Sequence, residues 1–356
     1  MNVLSMPHVG VLPAGALGTI ADVPGVTVGH YTLADGPIQT GVTVVRAHRD
    51  DPYHHKVPAA ASVINGFGKS IGLVQVEELG VLETPIALTN TFGVAAVAQA
   101  QIRAAIASNL QIGREWSTVN PLVFECNDGY LNDIQALAIK ESHYAQAFDT
   151  AAVDFERGSV GAGRGMSCFD LKGGIGSASR VANAAGKDFT VGALVLANFG
   201  RLPMLTIDGV PLGRELHRRK QSATTATATK PEQGSIIMIV ATDAPLDSRQ
   251  LKGLSMRAAA GLARTGSVYG HGSGDIALAF STGWTVPHEG DFVATPPLLS
   301  DARLDPLFHA CADSVEQAII DALWSATSVT GRDAHTRRSL REAAPDLAQL
   351  LKRHTT

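Results

Sequence analysis

A serine hydroxyl is a poor nucleophile near neutral pH unless a base stands beside it. One dipeptide in this chain offers a way to supply that base. Gly234-Ser235 follows a polar tract and opens the most hydrophobic run of the sequence, Ile236-Ile237-Met238-Ile239-Val240. If the bond between the two residues were cut, Ser235 would carry a free α-amino group. With a pKa of about 7.7–8.0, that amine accepts the hydroxyl proton directly or through a water. Cleavage would run by attack of Ser235 Oγ on the Gly234 carbonyl, an N-to-O acyl shift and hydrolysis of the ester. Glycine at 234 leaves that carbonyl unshielded and lets the backbone take strained φ/ψ values. The dipeptide by itself also fits an ordinary turn before a strand.

Three further constellations could serve such a nucleophile. In Tyr269-Gly270-His271-Gly272-Ser273-Gly274-Asp275 the glycines flanking Ser273 expose its hydroxyl, and Asp275 is placed to polarise it as a proton relay. The same residues also describe a turn closed by an aspartate hydrogen bond, and His271 reads as a turn residue. Phe124-Glu125-Cys126-Asn127-Asp128-Gly129 ends a strand-like run. There Glu125 could hold a substrate ammonium, the requirement of an aminopeptidase, or the loop could be purely structural. Asn198, where another apolar run ends, could donate to the oxyanion of a tetrahedral intermediate or simply cap a turn.

Other chemistries find little support. Asn65-Gly66-Phe67-Gly68-Lys69-Ser70 ends like a phosphate-binding loop, but the first glycine of that motif falls at Val63. The remaining glycine clusters never give G-x-G-x-x-G, and none of the histidines pairs at a metal-binding spacing. We therefore expect no metal and no organic cofactor. A net charge of -4 and short basic clusters, Arg218-Arg219-Lys220 and Arg337-Arg338, argue against nucleic acid and read as solvated faces. Three cysteines, Cys126, Cys168 and Cys311, lack disulfide or zinc spacing. No basic leader precedes the first apolar residues, and no run approaches the roughly 18 residues of a membrane span. The expectation is a cytoplasmic protein without a membrane partner.

The elements that must position these residues alternate irregularly. Strands are expected at 42–45, 60–64, 121–124, 190–197, 235–241 and 276–280, several apolar on both faces and so buried between layers. Helices are expected at 94–110, at 247–263 with an Asp247-to-Gln250 capping box, at 313–324 and at 337–351. Aromatics make up only 5% while Gly numbers 36, which implies a core of small side chains and close backbone approaches. Without a βαβ rhythm, an α+β layered sandwich fits better than a doubly wound sheet. Residues 221–230, QSATTATATK, cannot bury enough surface to order themselves and read as a flexible linker delivering the Gly-Ser bond.

Taken together, these residues resemble the DmpA/BapA family, the L-aminopeptidase D-Ala-esterase/amidases and β-peptidyl aminopeptidases. The resemblance is carried in order by Asp22-Val23-Pro24-Gly25, Gln39-Thr40-Gly41, Asn65-Gly66-Phe67-Gly68, Asn90-Thr91, Glu125 to Gly129, Lys172-Gly173-Gly174, Ala197-Asn198-Phe199-Gly200, Gly234-Ser235 and Ser273-Gly274-Asp275. It implies a four-layer αββα sandwich of the DmpA/ornithine acetyltransferase type, similar to the N-terminal-nucleophile hydrolases. It also implies one domain, 1–356, that cuts itself into chains 1–234 and 235–356, which stay associated and form a homo-oligomer, a tetramer of processed heterodimers. Carried onto this sequence, Ser235 is the nucleophile, Ser273 and Asp275 the relay, Asn198 the oxyanion donor and Glu125 the ammonium site. Asn127 lies at the substrate pocket. Asp275 stands where the β-peptidyl members are expected to carry Glu, which leaves open whether the acid reaches Ser273 directly or through a water. The implied activity is hydrolysis of amide or ester bonds next to an N-terminal amino acid in short peptides, amides and esters. Rival readings are an acyltransferase of the ornithine acetyltransferase type, which uses Thr where this chain has Ser235, and an unprocessed binding protein.

Overall fold

The computed structural model describes residues 5–221 and 233–352. Of the expected linker, 221–230, Gln221 ends the helix Leu212–Gln221 and 222–230 lie outside the described residues. One sheet has the order β1-β2-β4-β5, from β1 (Thr27–Asp35), β2 (Ile38–Arg46), β4 (Ile86–Asn90) and β5 (Leu122–Cys126). The second runs β3-β9-β8-β7-β6, from β3 (His55–Gly66), β6 (Gly174–Ala184), β7 (Lys187–Asn198), β8 (Gln233–Thr242) and β9 (Gly272–Ser281), with short strands added beside β3. Helices α1 (Val94–Ser108) and α2 (Glu141–Asp149) cover the first sheet, and α3 (Ser248–Arg264) and α4 (Asp305–Ser325) cover the second. The result is the four-layer αββα sandwich.

Strand β8 shows why the sheets stack. Ile236, Met238 and Val240 join the cluster under α3 and α4, while Ile237, Ile239 and Ala241, beside Phe280 of β9, face Leu88 and Phe124 of the first sheet. Apolar residues at both parities of a strand give it two buried faces. Helix α3 begins as its sequence demands: the Asp247 carboxylate accepts from Gln250 N–H at 2.7 Å, and the Gln250 side chain accepts from Asp247 N–H at 3.2 Å.

Glycines set how closely the layers approach. A Cβ on Gly176 of β6 would lie 1.9 Å from the Ala318 carbonyl of α4, and one on Gly261 of α3 would lie 2.4 Å from the Ala312 carbonyl. Backbone contacts of this kind account for the glycine-rich, aromatic-poor composition.

The expected helix over 337–351 is not there. Thr336–Arg337 is a short strand, followed by the helices Leu340–Ala343 and Leu347–Lys352. The break falls at Pro345, which has no N–H to donate and disfavours a helical Ala344 before it. Helix α4 also begins earlier than expected, at Asp305, with Pro306 in its first turn, where a missing N–H costs nothing.

Candidate active site

Five strand ends meet at one end of the sandwich. In the antiparallel ladder of β7 and β8, Asn198 stands opposite Ser235. In the parallel ladder of β8 and β9, Gly234 stands opposite Ser273 and Ser235 opposite Gly274, and β9 continues the alignment with Gly274 opposite Gly66 of β3. Strand β5 of the other sheet ends nearby with Glu125 and Cys126. Residues from four separate motifs thus converge on Ser235.

The Ser235 hydroxyl, nearly buried, donates to the Gly234 carbonyl at 2.7 Å and accepts from Gly274 N–H at 3.3 Å. Gly234 lies in strand geometry and not in the left-handed region, so the expected backbone strain is not what requires glycine there. The requirement is steric, since a Cβ would sit 2.3 Å from the Asn198 carbonyl and 2.8 Å from Phe199 Cα.

Ser273 and Asp275 are both buried, and the Ser273 hydroxyl donates directly to Asp275 Oδ1 at 2.6 Å. Asn65 holds the backbone beneath them by donating to the Ser273 carbonyl and to Gly270 O at 3.1 Å. Tyr269 enters that turn at φ 54° and is anchored by its hydroxyl on the Ala259 carbonyl at 2.5 Å. His271 is exposed on the outside of the turn.

The Asn198 side chain accepts from Ser167 N–H at 2.8 Å and donates to the Asn127 carbonyl at 2.9 Å. An amide nitrogen has two N–H donors, so one is committed there. Asn127 is exposed, and its side chain accepts from Gly129 N–H at 2.8 Å, closing its own turn. Glu125 is buried. Its Oε1 accepts from Lys69 N–H at 2.7 Å and its Oε2 from the Thr91 hydroxyl. The sequence offers Lys69 only in a failed phosphate-loop match and Thr91 only within the Asn90-Thr91 motif; their tie to Glu125 appears in the structure alone.

Burial, with the charges of Glu125, Asp275 and Asp128 near it, pushes the Cys126 thiol well above its usual range, so it stays protonated and unreactive. Burial likewise pushes the Asp128 carboxyl up to about 6, against hydrogen bonds from Thr40, Asn132 and Asn90 that favour its charged form. No group of three or more His, Cys, Asp or Glu able to hold a metal ion occurs among the described residues.

A family model, peptidase family S58, matches residues 18–337. The chain belongs to peptidase family S58. It is 37% identical over 370 residues to the β-peptidyl aminopeptidase BapA of Sphingosinicella microcystinivorans, covering 99% of this chain and 91% of that protein. Among solved structures it is similar to the PH0078 protein of Pyrococcus horikoshii OT3, with a TM-score of 0.91, 45% identity and 98% of each chain covered. The L-aminopeptidase D-Ala-esterase/amidase of Ochrobactrum anthropi, described as a prototype of the serine aminopeptidases and a variant of the Ntn hydrolase fold, gives a TM-score of 0.88 at 34% identity. That comparison covers 98% of this chain and 97% of the other. This S58 chain is therefore a peptidase with the same variant of the Ntn hydrolase sandwich, as its sequence motifs lead one to expect. No helix among its described residues is long and apolar enough to cross a membrane.

The S58 fold takes strands of its second sheet from both sides of residue 234: β8 and β9 lie between β3 and β7. A cut at 234 would free no layer of the sandwich.

Proposed function

We propose that the protein is a self-processing serine aminopeptidase that cleaves itself between Gly234 and Ser235 and then hydrolyses amide or ester bonds at the amino end of short peptides, amides and esters. The observation that carries this reading is the 2.7 Å contact between the buried Ser235 hydroxyl and the Gly234 carbonyl. In self-cleavage Oγ adds to that carbonyl carbon and the C–N bond breaks. The serine nitrogen takes up a proton, and water then cleaves the ester to give the Gly234 carboxylate and a free hydroxyl.

In turnover the released amine takes the hydroxyl proton as Oγ attacks the substrate carbonyl. Ser273, polarised by Asp275, carries the proton on to the leaving amine. The second N–H of Asn198 donates to the oxyanion, and Glu125 holds the substrate ammonium by charge-assisted hydrogen bonds. Asn127 contributes its carbonyl, which orients Asn198, instead of its side chain. The two chains stay together after the cut because β8 and β9 remain buried in the middle of a sheet. We propose further that the processed pairs assemble as a homo-oligomer.

The test is release of p-nitroaniline from aminoacyl p-nitroanilides with no acetyl acceptor present. Hydrolysis of free-amine anilides and not of their N-acetyl forms supports an aminopeptidase. Turnover only with an acyl acceptor would favour an acyltransferase on the same fold.

A further inference from the structure

Arg337 lies outside every role assigned above, yet two contacts link it to the nucleophile's neighbour. Its Nε donates to the Ser167 hydroxyl at 3.0 Å, and Ser167 N–H in turn binds the side chain of Asn198, the residue opposite Ser235. The guanidinium stacks 3.8 Å from the centre of the Tyr130 ring, which also stacks on His335 at 4.6 Å. Its side chain is only 18% exposed, so the arginine expected on a solvated face is largely covered, beside Ser167 and Tyr130.

The outer edge of this guanidinium is loosely engaged. One terminal nitrogen reaches the Asp170 carbonyl at 3.4 Å and the other the Asp170 carboxylate at 3.9 Å. Charge-assisted N–H···O bonds normally close to about 2.7–2.9 Å. A planar fork with such long contacts retains the geometry to receive a carboxylate.

Its position relative to Glu125 gives the direction. Glu125 lies on the β3 and β9 side of Ser235, since a Cβ on Gly68 would touch both its carboxylate and Gly274. Arg337 lies on the β7 side, beyond Asn198. The segment from Glu125 to Tyr130 connects the two sides, its Asn127 carbonyl accepting from Asn198 and its Tyr130 ring stacking on Arg337. A substrate with its ammonium at Glu125 and its scissile carbonyl at Ser235 points its leaving group toward Arg337.

We propose that Arg337 is a specificity-determining residue that binds the carboxylate of the leaving group, so that the preferred substrates are dipeptides with a free C-terminus. This rests on the aminopeptidase reading above. The test compares kcat/KM for alanyl-alanine and β-alanyl-alanine with their C-terminal amides and with an alanyl p-nitroanilide, in wild type and in Arg337→Met and Arg337→Lys. Wild type should favour at least one free acid over its amide. Arg337→Met should lose roughly 10- to 100-fold on that acid and far less on the amide, and Arg337→Lys should keep part of the preference.

An acid preference that survives in Arg337→Met, or equal losses on acid and amide, would overturn the assignment. So would a wild type that cleaves the anilide but does not prefer either acid, and that result leaves the aminopeptidase reading standing. A wild type that cleaves none of the substrates would remove both.

Discussion

Asn198 and Ser235 face each other across the β7–β8 ladder, so the candidate oxyanion donor and the candidate nucleophile are held by the same pair of buried strands. The Asn198 amide is oriented from both ends, by Ser167 N–H and by the Asn127 carbonyl. Replacement by alanine removes the donor while leaving the ladder hydrogen bonds. We expect Asn198→Ala to lower kcat by about 10²–10³-fold with a smaller change in KM, the loss typical of one oxyanion donor. An unchanged kcat would remove Asn198 from the site.

Gly234 has no room for a side chain. With a Cβ 2.3 Å from the Asn198 carbonyl, Gly234→Ala must push β8 away from β7 at the position where Ser235 is aligned. Pulse-labelled Gly234→Ala should accumulate as an uncut chain, with processing slowed at least tenfold. Processing at the wild-type rate would show that the strands yield and that alignment there is not needed.

Thr91 gives one of the two donors that hold Glu125. Thr91→Val keeps the shape and removes the hydroxyl, leaving one carboxylate oxygen without that donor at a cost of about 1–2 kcal/mol. The expected result is a KM for free-amine substrates raised by roughly tenfold, a smaller effect on kcat, and rescue by Thr91→Ser. A fall in kcat alone would place Thr91 elsewhere in the mechanism.

Asp128 imposes a pH dependence of unusual sign. Its carboxyl is raised from 3.8 to about 6 by burial, so its contribution to stability is full below pH 3.8 and is lost as pH rises through 6. The loss is on the order of 3 kcal/mol at neutral pH. Urea titrations should show Asp128→Asn gaining on wild type steadily between pH 4 and pH 7. A difference that stays constant over that window would mean the carboxylate is solvated or paired.

Much of this was legible in the sequence, and what was not has physical causes. The capping box of α3 is local and formed as written. Strand β8 declared itself because both its faces are apolar. Strand β6 did not: Gly174-Ile175-Gly176-Ser177 has little β propensity, and its place is fixed by α4 pressing on Gly176. Ser235, Ser273, Asp275, Asn198 and Glu125 could be named one motif at a time, but their convergence depends on ladder register, which no single segment carries. Thr91 and the Lys69 backbone act through Glu125, Thr91 from the end of the neighbouring strand of the same sheet and Lys69 from the other sheet, and neither contact leaves a spacing to read. Arg337 was misplaced because the helix there begins only after Ser339, whose hydroxyl caps it by accepting from Glu342 N–H.

The most direct measurement is the intact mass of purified wild type and Ser235→Ala, with sequencing of the smaller fragment and an assay of both samples. The account predicts two fragments in active wild type, the smaller beginning at Ser235, and a single inactive 37.2 kDa chain for Ser235→Ala. A fully active wild type consisting only of the uncut 37.2 kDa chain would contradict it.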